Sequence, residues 1–173
     1  MRLGVDEVGV TELMGVTEHT RAMATTAAAL LLDSLETGRP LIAPLDVPAS
    51  GDVSAIVNEI RAWSAAALGS PDVPLLWRIL ARNPHYLEST WRKETAVMAA
   101  GALDAHDKRR VALGVAMAVR GRYMIEYNAA ILRRSGDDDR DILEVLGVVD
   151  HYTTLNTLSE GMQIDSDIRP QSV

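Results

Sequence analysis

The stretch that decides the fold is Val119–Gly136, which reads VRGRYMIEYNAAILRRSG. At about 100° per residue, the α-helical step, Arg122, Glu126 and Arg133 share one face of the helix that it predicts. Asn128 falls on the opposite face, among apolar side chains. The stretch therefore predicts an amphipathic helix that carries one amide into the protein interior.

A buried amide must find hydrogen-bond partners or cost about 1–3 kcal/mol. In one interpretation Asn128 is a satisfied core residue bonded to the backbone of a neighbouring helix. In the other it lines a small cavity and faces a ligand or water. The sequence leaves both open.

The rest of the chain shows helical periodicity and no alternating strand pattern, which predicts an all-α fold. Residues 1–16 are expected to form a loosely ordered lead-in, with Thr17 as the N-cap of the first helix. The prolines of Arg39–Gly51 predict an extended connector. The expected organisation is an N-terminal helix and connector over 1–51, a helical domain over 52–164 and a polar tail over 165–173. Eight helices are predicted, at about 17–36, 52–68, 73–82, 85–100, 105–120, 122–135, 137–146 and 148–162.

The composition excludes several classes of function. The 173 residues suit one domain, and the net charge of −7 argues against a nucleic-acid partner. The chain has no Cys, which removes disulfides and thiol chemistry. The four His residues lack the spacing of metal ligands, so neither a metal nor a cofactor is expected. No secretory signal or membrane-length apolar run is evident, so we expect a cytoplasmic protein without a membrane partner.

The spacing within GRYMIEYNAAILRRSG resembles the signature of the AhpD-like, or carboxymuconolactone decarboxylase, family. That family has a Cys-x-Tyr-Cys run, a His four residues after the second Cys and a Gly eight residues after the His. Here the cysteine positions fall on Gly121 and Met124, and the tyrosine falls on Tyr123. The histidine position is taken by Asn128, while Gly136 keeps the glycine.

The family's glutamate, twelve residues before its first cysteine, falls on Arg109. The resemblance covers about Asp52–Ile164 and implies an AhpD-like helical bundle, here with an extra N-terminal helix, in a homo-oligomer. It also implies a thiol peroxidase, yet neither cysteine position holds a thiol. Arg109 stays protonated and cannot act as a base, so peroxidase activity is not expected.

The old active-site pocket is therefore expected to persist for binding a small acidic organic ligand or for a non-redox reaction. Whether the protein is an enzyme is left open. Arg109 either belongs to a solvated charged turn, or it holds an anion or a buried carboxylate, for which its bidentate fork is suited. The candidate pocket residues are Arg109, Gly121, Tyr123, Met124, Asn128 and His151.

Two other functions stay open. The stretch DVSAIVNEIRAWSAAALGSPDVPLLWRILARNPHYLESTW is similar to the repeat of the group I 2-haloacid dehalogenases, which implies a hydrolase that activates water. That reading requires an acidic side chain near Asn128. The third function is a structural or assembly protein without a pocket. Trp77 and Trp91 are expected in the core, and Tyr123 and Tyr127 are expected to pack there with their hydroxyls in water.

Overall fold

The computed structural model describes residues 6–32, 39–46 and 54–166. Within these ranges the chain forms seven α-helices and no strand, so the all-α prediction is confirmed. None of these helices is long and apolar enough to cross a membrane. The helices are α1 (Glu7–Ala29), α2 (Ser54–Ala67), α3 (Leu75–Leu80), α4 (Pro84–Met98), α5 (Ala105–Ala118), α6 (Arg122–Arg134) and α7 (Asp139–Gly161).

Helix α1 begins well before the predicted position. Asp6 caps it by accepting a hydrogen bond from the backbone N–H of Gly9 at 2.8 Å. The predicted lead-in is therefore wrong for residues 7–16. Thr17 lies inside the helix, where its hydroxyl donates to the carbonyl of Leu13 rather than capping. The helix ends at Ala29 instead of near residue 36, and residues 33–38 lie outside the described ranges.

The N-terminal helix shares the main core. Its buried stripe packs against α4, α5 and α6. Met23, Ala24 and Ala27 from this stripe join Ala116 and Tyr123 in one hydrophobic cluster. Because the stripe recurs every three or four residues, α1 presents one continuous apolar face to the bundle.

Aromatic side chains fill the centre of the bundle. Trp77 and Trp91 are 0% and 2% exposed, which confirms the prediction that they are core residues. Their rings meet edge to face with centroids 5.2 Å apart. Trp63 on α2 bridges this pair to α6, since it meets Trp91 edge to face and stacks on Tyr127 at 5.7 Å.

Helix α7 replaces the two last predicted helices. Asp138 caps it in a reciprocal capping box with Asp141. The helix then runs uninterrupted through Gly147, so the predicted break there is wrong. Its first half packs on α5, where Val145 and Val149 lie against Gly114. Residues 151–161 are exposed throughout.

Candidate functional site

Asn128 is fully buried, as its position opposite the charged face predicts. Its Oδ1 accepts a hydrogen bond from Nη1 of Arg109 at 3.0 Å. Its Nδ2 donates to the carbonyl of Met124 at 2.7 Å, one turn earlier in α6. The amide is thus satisfied by a side chain on α5 and by its own helix, and it bonds to no backbone of a neighbouring helix.

Arg109 is the centre of a buried polar network that joins four helices. Its Nη2 donates to Oε1 of Glu94 on α4 at 3.1 Å. The other carboxylate oxygen of Glu94 lies 2.6 Å from Nε2 of His19 on α1. The expected alternative in which Arg109 pairs with a buried carboxylate therefore describes the structure, and the solvated turn does not.

Glu94 is held as a carboxylate. Burial alone would raise the pKa of Glu94, but Arg109 and His19 together lower it below the usual value. Arg109 in turn lies 6.0 Å from the ring centroid of Tyr127, which packs along the same network. Charges and aromatic faces therefore fix the guanidinium in one orientation.

A pocket of about 520 Å³ opens beside this network. That volume falls within the roughly 300–1,000 Å³ typical of small-molecule sites. Glu94 and Arg109 lie at its buried end, and Thr95, Ala99, Ala105 and Ser135 form an exposed rim. The remaining wall residues are Trp63, Met98, His106 and Ile131.

The six expected pocket residues do not all lie together. Arg109 lines the pocket, and Asn128 lies directly behind it. Met124 is buried in the hydrophobic core and does not line the pocket. His151 is exposed on α7, where its ring meets that of Tyr152 at 5.4 Å.

Gly121 and Tyr123 line a separate groove of about 160 Å³ between α1 and α6. A Cβ atom added to Gly121 would come within 2.7 Å of the Cβ of Ala24. Helix α1 thus occupies the space that any side chain at the first family cysteine position would need. The close packing of α1 against Gly121 therefore leaves no room for a cysteine side chain at this position.

The tyrosine hydroxyls are not in water, contrary to expectation. The hydroxyl of Tyr123 accepts from the backbone N–H of Leu76 at 3.2 Å, and that of Tyr127 accepts from Nε1 of Trp77 at 3.4 Å. Burial raises the pKa of both phenols. Neither can serve as an acid near neutral pH, so both are packing residues.

Sequence reasoning missed Glu94, His19 and His106. The signal for Glu94 was present, because the buried positions of α4 are Leu87, Trp91, Glu94 and Met98, which recur at helical spacing. A charge at one position of this otherwise apolar series is the signal of a buried ion pair. Across the described ranges, no group of His, Asp and Glu has the arrangement of a metal site.

The fold and this site define an AhpD-like helical bundle. The carboxymuconolactone decarboxylase family model matches residues 84–164, from the start of α4 to just beyond the end of α7. The crystal structure of the alkylhydroperoxidase AhpD core from Rhodospirillum rubrum is 30% identical, with a TM-score of 0.67 over 75% of this chain and 96% of that chain. No curated protein matches the chain. The chain belongs to the carboxymuconolactone decarboxylase family, and its sequence contains no cysteine.

Proposed function

We propose that the pocket beside Arg109 binds a small organic carboxylate. The observation that supports this proposal is the set of hydrogen bonds made by the Arg109 guanidinium. Nη1 and Nη2 are bonded to Asn128 and Glu94, while Nε makes no hydrogen bond to any residue that the structure describes. No fully buried side-chain nitrogen or oxygen in the described ranges lacks a partner, so Nε is not completely enclosed by the protein. Since Arg109 lines the pocket, this free N–H is available to a ligand.

A carboxylate suits this donor for two physical reasons. A hydrogen bond between a guanidinium and a carboxylate is charge-assisted and stronger than a neutral one. The guanidinium is also preorganised, because its other two nitrogens are already held by Glu94 and Asn128. Binding therefore orders no further protein side chain at this point.

Isothermal titration with acetate, hexanoate and benzoate tests the proposal, with hexanamide and benzamide as uncharged controls. We expect the acids to bind and the amides to bind weakly or not at all. Ala99→Trp fills the exposed rim of the pocket and should abolish binding. Ala100→Trp is a matched control, because Ala100 is exposed next to it but does not line the pocket. Equal binding by both variants would refute the proposal.

The hydrolase alternative has weaker support. The acidic side chain that it requires is present, because Glu94 lines the pocket and is linked through Arg109 to Asn128. However, both oxygens of Glu94 are engaged and its pKa is lowered, which makes it a weak base towards water. Halide release from short 2-haloacids tests this alternative, and a measurable rate that Glu94→Gln abolishes would favour it.

We also propose that the protein is a homo-oligomer in the cytoplasm. The oligomer is supported by α7, which has no buried residue and exposes a series of apolar side chains. An apolar surface of this extent is unusual on a monomer. Light scattering coupled to size exclusion tests this part, and a clean monomer would refute it. The exposed apolar residues of this surface are, on α7, Leu143, Leu146, Val148, Tyr152, Leu155 and Leu158, followed just beyond the helix by Met162 and Ile164.

A further inference from the structure

His106 lies in the first turn of α5 and is held by a buried carboxylate. Its Nε2 lies 2.7 Å from Oδ1 of Asp137, in the turn between α6 and α7. Asp137 is itself fixed by Arg110, whose Nε and Nη2 donate to its two oxygens at 3.0 and 2.9 Å. The side chain of Asp137 is only 4% exposed. One ring nitrogen of His106 is thus committed to the protein, and the ring orientation is set.

The second ring nitrogen is free. Nδ1 of His106 makes no hydrogen bond within the described residues, and no buried side-chain nitrogen there lacks a partner, so Nδ1 is accessible. The ring also lines the pocket that Arg109 lines. Because the two residues are three apart on one helix, they lie on the same face of α5. The pocket therefore offers two free nitrogens from one helix turn.

We propose that His106 provides the second hydrogen bond to the carboxylate of the ligand, and that the ligand is a monocarboxylic acid with an apolar body. This inference rests on the proposed function of the pocket. The carboxylate accepts one bond from Nε of Arg109 and one from Nδ1 of His106. It also lies near the N-terminus of α5, whose dipole favours an anion.

The walls of the pocket account for the rest of the ligand. Trp63, Met98 and Ile131 supply apolar surface between the buried end and the rim. The hydroxyls of Thr95 and Ser135 donate to backbone carbonyls in their own helical turns, so their hydrogens are not available to a ligand. A second carboxylate on the ligand would meet apolar side chains or Glu94. The pocket therefore favours one charged group and an apolar chain or ring.

The pairing with Asp137 makes binding depend on pH. In the neutral imidazole the single proton is held on Nε2 by Asp137, so Nδ1 has no hydrogen to give the ligand. Only the imidazolium can donate from Nδ1. Affinity should therefore be higher when His106 is protonated than when it is neutral.

The two carboxyl groups nearest to the proposed ligand site, Asp137 and Glu94, both have a pKa shifted towards the charged form. Hydrogen bonds with Arg110 and His106 lower the pKa of Asp137 below its usual value, although burial alone would raise it. Glu94, across the pocket, also has a lowered pKa. Arg109 and Arg110 stay protonated. Asp141 on α7 lies 4.0 Å from Arg110, and Asp107 and Lys108 are the charged neighbours on α5.

Isothermal titration of hexanoate from about pH 5.5 to 8 tests the inference, because the acid stays ionised throughout this range. Wild-type affinity should fall about tenfold across it, the worth of one charge-assisted hydrogen bond. His106→Leu should bind about tenfold more weakly at the low pH and show no pH dependence. His85→Leu is the matched control, since His85 is exposed on α4 and does not line the pocket.

The outcomes separate this inference from the function on which it rests. If hexanoate binds and Ala99→Trp abolishes binding, but His106→Leu follows the wild-type pH profile, the role of His106 is refuted and the carboxylate pocket stands. If succinate binds more tightly than hexanoate, the monocarboxylate assignment is refuted. If no acid binds to the wild type, both proposals fail. His106→Gln, which keeps an amide donor, should bind with intermediate affinity that does not depend on pH.

Discussion

Replacing Arg109 by Met removes one partner of a buried ion pair and keeps a side chain of similar length. Glu94 would then be a buried carboxylate with only His19 beside it, and Oδ1 of Asn128 would lose its donor. Breaking a buried ion pair from one side costs about 3–5 kcal/mol, because an uncompensated charge remains in the interior. For a chain of this length that loss corresponds to a Tm lower by about 6–20 °C.

The pH dependence of the stability that Arg109→Met loses is a sharper test than its size. In the wild type the pKa of Glu94 is lowered, so Glu94 contributes stability above the pKa of an unfolded glutamate and loses it as the pH falls through the folded value. Without Arg109, burial dominates and raises that pKa. The carboxylate then destabilises the variant at neutral pH and stops doing so when it is protonated. The difference from wild type should be largest near pH 7 and shrink towards about pH 4.

Urea denaturation at several pH values measures this difference, together with two further variants. Glu94→Gln combined with Arg109→Met should recover most of the loss, since replacing both members of a buried pair with neutral groups is often near neutral. Arg133→Met is the control, because its pair with Asp139 is exposed and should contribute little. If Arg109→Met costs no more than Arg133→Met, or if its deficit grows on acidification, the buried network does not act as described.

Three further predictions follow from the fold. Gly121→Ala should destabilise the protein by about 1–3 kcal/mol through overpacking against Ala24. Gly147→Ala, whose added Cβ has nothing within 4 Å, should stabilise it by about 0.5–1 kcal/mol. Urea denaturation distinguishes the two variants, and equal effects would contradict the close packing of α1. Hydrogen bonds from the backbone N–H groups of residues 103 and 102 lower the pKa of Glu12 to about 2, so its stabilising contribution is present above pH 4.5 and is lost as the pH falls towards about 2. Glu12→Gln should flatten the acid limb of the stability curve, and an unchanged limb would refute that assignment. If the protein forms the proposed oligomer, Leu155→Lys on the exposed apolar face of α7 should dissociate it on size exclusion without lowering helix content. An oligomer that stays intact would exclude that face as the interface.

Helix α6, which lies within Val119–Gly136, and the burial of Asn128 were predictable, because both follow from the periodicity of one short stretch. The family resemblance rested on spacing alone, and it identified Arg109 although the usual side chains were absent. The split of α7 at Gly147 was wrong because a glycine inside an exposed helix costs only about 1 kcal/mol and does not end it. The capping of α1 by Asp6 was missed because a later threonine offered an equally good local signal.

The polar network was not predictable in the same way. His19 and Glu94 are 75 residues apart, and their contact depends on how α1 crosses α4. Glu94 lies on the apolar stripe of its helix, which signals a buried charge but does not identify the partner. His106 and Asp137 lie in a helix start and a turn, where no periodicity reports burial. Such pairs emerge only when the helices are placed in space.

We propose that the Arg109 guanidinium receives a carboxylate in the pocket that it lines. The most direct test observes the side-chain Nε–H of Arg109 by ¹⁵N–¹H NMR while hexanoate is added at about pH 5.5. We expect this resonance to shift strongly and to saturate, while the resonance of the exposed Arg133 hardly moves and hexanamide has no effect. A resonance that stays in place while hexanoate binds elsewhere, or while it does not bind at all, would contradict it.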